Sequence, residues 1–236
     1  METKNLDVVY FCRDGSNDEL RYSLRSVEKN LPHNSVWIYG GKPKDIIPDH
    51  FVEIKQVRTN NNTKWDRVQD MFRKVCLNDD ITENFILMND DFFIMEKIAR
   101  LNPYIRGSLY EHIVKIEFKY KNKPTEYSMQ LRKATQALLN SGFEVNSYEV
   151  HVPMIINRKK LLEVMGAFPN THATRSLYGN YTKQKPTKID DVKVYKNNQA
   201  WAGGRFLSTQ DEIWETSKVA KMVREKFNER GKYEAV

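Results

Sequence analysis

The stretch from Phe85 to Met95 restricts what this chain can fold into more than any other. Phe85, Ile86, Leu87 and Met88 precede Asn89-Asp90-Asp91, and Phe92, Phe93, Ile94 and Met95 follow it. Each large apolar side chain gains about 1.5–3 kcal/mol on full burial, so both flanks are driven inward. An unpaired buried carboxylate costs several kcal/mol, and here two are adjacent. Burial on both sides of Asp90-Asp91 therefore requires a compensating cation, a nest of hydrogen bonds, or a strand end opening into a cleft. The alternative is an exposed turn between two strands. Adjacent carboxylates supply the hard oxygen ligands that suit Mg²⁺ or Mn²⁺ bridging to phosphates.

Strand and helix patterns alternate up to this stretch. Leu6–Cys12 is β-branched and aromatic, as a buried strand is, and breaks at a turn over Arg13-Asp14-Gly15-Ser16. Leu20, Leu24 and Val27 share one face of a helix over Asp18–Lys29. Ser35–Tyr39 and Phe51–Val57 read as strands, and Thr63 caps an amphipathic helix running to Cys76. The alternation predicts an α/β sheet with parallel strands. The second half is less regular. It predicts a helix over Thr125–Asn140, a strand over Tyr148–Ile156, a short helix over Arg158–Met165 and a polar loop over Tyr181–Asp191. Ile213, Ala220, Val223 and Phe227 mark one face of a last helix. No repeat or low-complexity linker interrupts residues 1–236, which read as a single domain.

At 40% hydrophobic and 11% aromatic residues the chain has enough apolar surface for a packed core. Its two cysteines, Cys12 and Cys76, lie in apolar segments without zinc-site spacing, as reduced core residues do. No stretch is long enough to span a bilayer and the N-terminus lacks an apolar leader, so the expectation is a cytoplasmic protein without an integral membrane segment. The net charge of +7 points to an anionic partner: nucleotide phosphates, an acidic polymer, nucleic acid or a membrane surface.

An apolar strand ending in an Asp-containing triplet, after strand, helix and strand, resembles a glycosyltransferase of GT-A type. More narrowly, the chain resembles the Stealth family of capsular-polysaccharide phosphotransferases. Four stretches carry the likeness: Asp7-Val8-Val9-Tyr10 with Arg13-Asp14-Gly15; Glu19-Leu20-Arg21-Tyr22-Ser23-Leu24-Arg25-Ser26 with Met88-Asn89-Asp90-Asp91; His151-Val152-Pro153-Met154 with Arg175, Leu177 and Tyr178; and Phe206-Leu207-Ser208-Thr209-Gln210-Asp211. The chain departs from the family in its compactness and in Thr209-Gln210. The resemblance implies a Rossmann-like central sheet flanked by helices and a nucleotide-sugar donor. It also implies transfer of a sugar or a sugar 1-phosphate, with divalent-metal assistance, to a glycan or polyol acceptor.

Residue by residue, the resemblance places Asp90 and Asp91 at the metal and donor site, with Asp211 as a further acidic ligand and Asn89 beside the donor. His151 and Arg175 would face phosphates or acceptor, and Asp14 and Arg21 would line the nucleotide pocket. Lys64 and Arg67, opening a helix, are further phosphate candidates. Each has a plainer alternative: a structural histidine, solvated arginines, turn chemistry at Asp14, or a first-turn acid at Asp211. Basic residues are spread through Arg21–Lys29, Arg67–Lys74, Lys115–Lys123, Lys183–Lys188 and Lys218–Lys232. Tyr120, Tyr127, Tyr178 and Tyr181 stand near some of them and suit either sugar rings or a flipped base. A hydroxylated DNA base is therefore a second acceptor, behind a glycan. A non-catalytic binding protein on the same fold is the reading from a different class.

Overall fold

A computed structural model describes residues 1–13, 17–54 and 63–235, with the backbone but not the side chain of Lys64. In chain order the first half runs β1 (Asp7–Cys12), α1 (Asp18–Asn30), β2 (Val36–Gly40), β3 (His50–Glu53), α2 (Lys64–Leu77), β4 (Asn84–Asn89), β5 (Phe92–Ile94) and β6 (Tyr104–Ile105). There follow α3 (Leu109–Lys119), α4 (Glu126–Asn140), β7 (Met154–Asn157), α5 (Arg158–Ala167) and α6 (Thr174–Tyr181). The remainder is β8 (Thr187–Lys188), β9 (Lys193–Val194), β10 (Phe206–Thr209) and α7 (Lys218–Lys226).

The fold is mixed α/β. Its central sheet has the order β3-β2-β1-β4-β7, the first four strands parallel and β7 antiparallel on the edge. Alternation along each strand divides the core into two layers. Val8, Tyr10, Ile38, Ile86 and Met88 pack on Leu20, Leu24 and Val27 of α1. Val9, Trp37, Tyr39, Phe85 and Leu87 pack on the opposite face, against α2, α4, α5 and α6. Asn17 caps α1, its Oδ1 accepting from Leu20 N at 3.1 Å, and Thr63 with Asp66 forms a capping box on α2.

The chain then leaves the central sheet. Asp90-Asp91 is the turn by which β4 passes into β5, and β5 belongs to a second sheet of order β5-β10-β9. Phe93 and Leu207 of that sheet pack on Trp214, Ala220, Val223 and Phe227. The turn alternative was thus half of the answer: these residues do join two strands, but Asp91 is only 6% exposed.

Two expectations need correction. Tyr148–Ile156 is not one strand, because β7 begins only at Met154. Ahead of it, Tyr148 N donates to Ser176 Oγ and His151 N to Asp191 Oδ1, while Pro153 has no N–H, so no ladder forms. Tyr181–Asp191 is no simple loop: α6 reaches Tyr181, and Thr187–Lys188 pairs in parallel with Tyr104–Ile105. Beyond these expectations the structure adds a helix, α3, capped by Ser108 and Glu111. The segment Phe51–Val57 forms a strand only as far as Glu53, and residues 55–62 lie outside the described residues.

Candidate active site

A cavity of about 620 Å³ opens at the carboxyl ends of β1 and β4, where Phe11, Cys12, Arg13, Asn89 and Asp90 reach it. Strands β2 and β3 run outward on one side of β1, and β4 lies on the other. This is the point in an open α/β sheet where the winding reverses and the strand ends part to admit a ligand. Helix α2 supplies a second wall with Trp65, Arg67 and Phe72, and Tyr127, His151 and Arg175 close the third.

Asp90 and Asp91 are neighbours with different surroundings. Asp90 lines the cavity and accepts a short hydrogen bond from Asn17 Nδ2. Burial, reinforced by the charge of Asp91, pushes the Asp90 carboxyl up to about 6. Asp91 instead faces the second sheet, where its Oδ2 accepts from Lys193 Nζ at 2.7 Å and Ser208 Oγ at 2.9 Å. Glu19, 3% exposed, accepts from Thr209 Oγ1 at 2.6 Å. Burial, with the charges of Asp91, Asp211 and Asp90, pushes it up to about 8.

His151 is held from behind. Its Nδ1 lies 2.7 Å from Asp191 Oδ1, and Asp191 Oδ2 accepts from Arg106 at 3.2 Å and from the Tyr195 hydroxyl at 3.0 Å. Burial works to raise the Asp191 carboxyl, but the hydrogen bond from His151 and the charges of His151 and Arg106 outweigh it. The group stays well below the usual carboxylate range. Arg175 enters from α6, only 9% exposed, with one guanidinium nitrogen donating to Val152 O. Its carbon lies 5.6 Å from the Phe92 ring centroid, while its buried Nε has no hydrogen-bond partner among the described residues. Burial holds its pKa below that of an ordinary arginine.

Asn89, Asp90, Arg67, His151 and Arg175 are thus brought to one cleft. Arg21 is not: it pairs with Asp18 at 3.5 Å and Glu234 at 3.4 Å, beside Arg25, which binds Glu234 at 2.6 Å. With Leu20 and Leu24 turned to the sheet, the helical period carries Arg21 and Arg25 to the C-terminal segment instead of the nucleotide pocket. Asp14 lies outside the described residues, as does the side chain of Lys64. Asp211 forms an ion pair with Arg13. The four tyrosines do not form one groove. Tyr127 lines the cleft, the Tyr178 hydroxyl accepts from Asn157 N at 2.8 Å, Tyr181 packs on Phe143 and Phe168, and Tyr120 is exposed.

No protein-family model matches the chain, and no curated protein matches it. Among solved structures it is similar to the glycosyltransferase GlyE of Streptococcus pneumoniae TIGR4, with a TM-score of 0.34 and 10% identity. That likeness covers 79% of this chain and 45% of GlyE, so the chain spans less than half of that enzyme's length. A likeness so distant transfers no residue role and no reaction. Among the described residues no helix is long and apolar enough to cross a membrane.

Of the three aspartates that the resemblance assigns to a metal, only Asp90 lines the cleft. Among the described residues no three His, Cys, Asp or Glu side chains are grouped to hold an ion. The expected trio is divided, because Asp91 is engaged by Lys193 and Asp211 by Arg13. Mg²⁺, however, commonly takes one or two carboxylates and completes its shell with water and substrate phosphates. Asp90, raised by burial and a like charge, is a carboxylate whose ionised form such a cation would stabilise. Asn17 and Asp191 are site residues that the sequence pattern did not single out. Asn17 precedes an acidic first turn, a legible cap signal. Asp191 carries no local signal that points to the site, since its charged partners His151 and Arg106 are 40 and 85 residues away.

Proposed function

We propose that the chain is a nucleotide-sugar-dependent transferase working in this cleft. The observation that carries the reading is Arg175, a desolvated guanidinium with an unpaired Nε, on the same wall as His151 and opposite Asp90 at the strand ends. A buried cation lacking a full set of acceptors favours an anionic ligand with oxygens to offer, and a diphosphate is such a ligand. Residues Arg175 and Arg67 would bind it, and Asn89 would orient it.

His151 is the base of the reaction. With Nδ1–H donated to Asp191, Nε2 is left to take the proton of an acceptor hydroxyl. The hydroxyl oxygen then forms its new bond either to the anomeric carbon or to the phosphorus next to the sugar. In the first case the bond from anomeric carbon to phosphate oxygen breaks and the nucleoside diphosphate leaves. In the second the bond between the two phosphates breaks and the nucleoside monophosphate leaves. Arg175 stabilises the charge that grows on the leaving phosphate. A Mg²⁺ or Mn²⁺ ion held by Asp90 would supply further charge neutralisation there. The Stealth resemblance favours the monophosphate and a glycan or polyol acceptor over a DNA base.

The test is a screen of nucleotide sugars for thermal stabilisation with and without Mn²⁺, followed by identification of the nucleotide released. Ligand bound only by the native state raises its stability by RT ln(1 + [L]/Kd), so a saturating donor gives a clear shift. Stabilisation by a nucleotide sugar that Arg175→Ala abolishes supports the reading. No shift with any nucleotide sugar, in either metal condition, defeats it.

A further inference from the structure

Helix α3 presents two apolar rows where a surface helix needs one. Leu109 and Ile113 face the core, and Tyr110, Val114 and Phe118 form a second row at four-residue steps on the outside. Phe118 is 73% and Val114 66% exposed, and Tyr120 continues the row into the turn before α4. Single exposed apolar residues are ordinary, whereas a contiguous stripe marks a surface that meets something.

The charges around the stripe indicate what it meets. Residues 109–133 hold six cations (Lys115, Lys119, Lys121, Lys123, Arg132, Lys133) against three glutamates, a net +3 of the chain's +7 in 25 of its 236 residues. All three glutamates are engaged within the chain: Glu117 pairs with Arg132 at 2.6 Å, Glu111 accepts from Ser108 N at 2.9 Å and Glu126 from Trp65 Nε1 at 2.8 Å. That leaves the five lysines as the unopposed charge of this face. A second copy of the chain would set two positive faces against each other. A water-soluble polyanion would satisfy the lysines and leave Phe118 and Val114 in water. An anionic bilayer satisfies both, offering a nonpolar layer beneath a negatively charged headgroup plane.

We propose that this face of α3, with the turn to α4, docks on an anionic membrane surface. Tyr127, two residues into α4, lines the cleft, and the neighbouring Glu126 accepts from Trp65 Nε1 at 2.8 Å. The docking face thus adjoins the helix that supplies Tyr127 to the cleft wall. The inference is independent of the reaction that the cleft performs.

Co-sedimentation of the whole chain with vesicles tests it, comparing phosphatidylcholine alone with phosphatidylcholine containing phosphatidylglycerol, at low and high salt. Expected is binding to the anionic vesicles only, weakened by salt. Phe118→Asp and Val114→Asp each lower it by about tenfold or more, from the loss of a buried apolar group. Lys121→Glu and Lys123→Glu each lower it about fivefold or more. Both aspartate positions are exposed, so the variants should melt like the parent, and either one alone suffices for the test. Absence of binding to anionic vesicles, or binding unaltered by both aspartates, overturns the proposal. So does a concentration-dependent dimer that Phe118→Asp dissolves, which would assign the face to a second copy.

Discussion

His151 and Asp191 are 40 residues apart in sequence, yet the imidazole Nδ1 lies 2.7 Å from the carboxylate Oδ1. The carboxylate is itself fixed by Arg106 and Tyr195, so the ring has a rigid support on the side away from the cleft. Asp191→Asn offers its amide to Nδ1 in place of a second oxygen and favours the other tautomer. Turnover should fall by about 10²-fold or more while donor affinity changes little, as for a group acting through the base. Nitrogen-15 spectra of the imidazole report the tautomer directly; an unchanged spectrum with full activity would refute the assignment.

The same carboxylate has a consequence for acid stability. Its folded pKa lies below the unfolded value of about 3.9. The stability it contributes is therefore fully present above that value and lost as pH falls below it. Between pH 5 and the acid limit of about 2, wild-type protein should lose more melting temperature than Asp191→Asn. Parallel acid melts of the two proteins would contradict this.

Asp90→Asn and Asp91→Asn should separate cleanly. Asp90 faces the cleft, so its amide should keep the fold and lose metal-dependent stabilisation by nucleotide. Asp91 neutralises Lys193 at 2.7 Å on the second sheet. Removing one partner of a buried pair leaves the other charge stranded, at a cost of about 3–5 kcal/mol. Asp91→Asn should accordingly melt far below the parent without any ligand. Equal melting of both apo variants would show that the division of roles is wrong.

Glu19 gives stability a slope of the opposite sign. Its folded pKa, about 8, exceeds the ordinary glutamate value, so the unfolded chain releases this proton first as pH rises. Stability should decline from about pH 4.5 to pH 8 and then level, by up to a few kcal/mol from this group alone. Glu19→Gln keeps a carbonyl oxygen for Thr209 and removes the slope. The expected result in melts is a gap in favour of the variant that widens toward pH 8; a constant gap would mean that Glu19 is ionised throughout.

Gly179 on α6 has no room for a methyl group. A Cβ there would sit 2.5 Å from the ring of Tyr148, itself 2% exposed. Alanine gains about 1 kcal/mol in helix propensity, but overpacking a fixed ring costs about 1–3 kcal/mol, so the clash wins. Urea denaturation should show Gly179→Ala less stable than the parent; a more stable variant would show that the ring yields.

Much of the sheet was legible because each early element satisfies its own local rules. Val8/Val9/Tyr10 and Phe85–Met88 read as buried strands, and Thr63 with Asp66 writes the start of α2 into the sequence. Helix α3 escaped although Ser108-x-x-Glu111 spells a capping box, because its outer row of Tyr110, Val114 and Phe118 blurs the one-sided periodicity. At the cleft, the Asp90 turn could be read from the cost of burying carboxylates. The backing of His151 could not, because a side-chain bond across 40 residues leaves no periodic trace. Arg21 misled for the converse reason: a basic residue within a motif looks like a ligand contact until the distant Glu234 is placed beside it.

Helix α6 is eight residues long, and seven of them, Thr174 to Asn180, are buried. A helix with no watered side is the part of a cleft least able to drift. Any substitution that slides it moves Arg175 and breaks the bonds of Ser176 to Glu149 and of Asn180 to Asn146 together. Change in what the cleft accepts is thereby left to the wall that α2 supplies, where Trp65 and Arg67 are half-buried and border water. One wall is held by its own packing, and the other is free to be reshaped without unseating it.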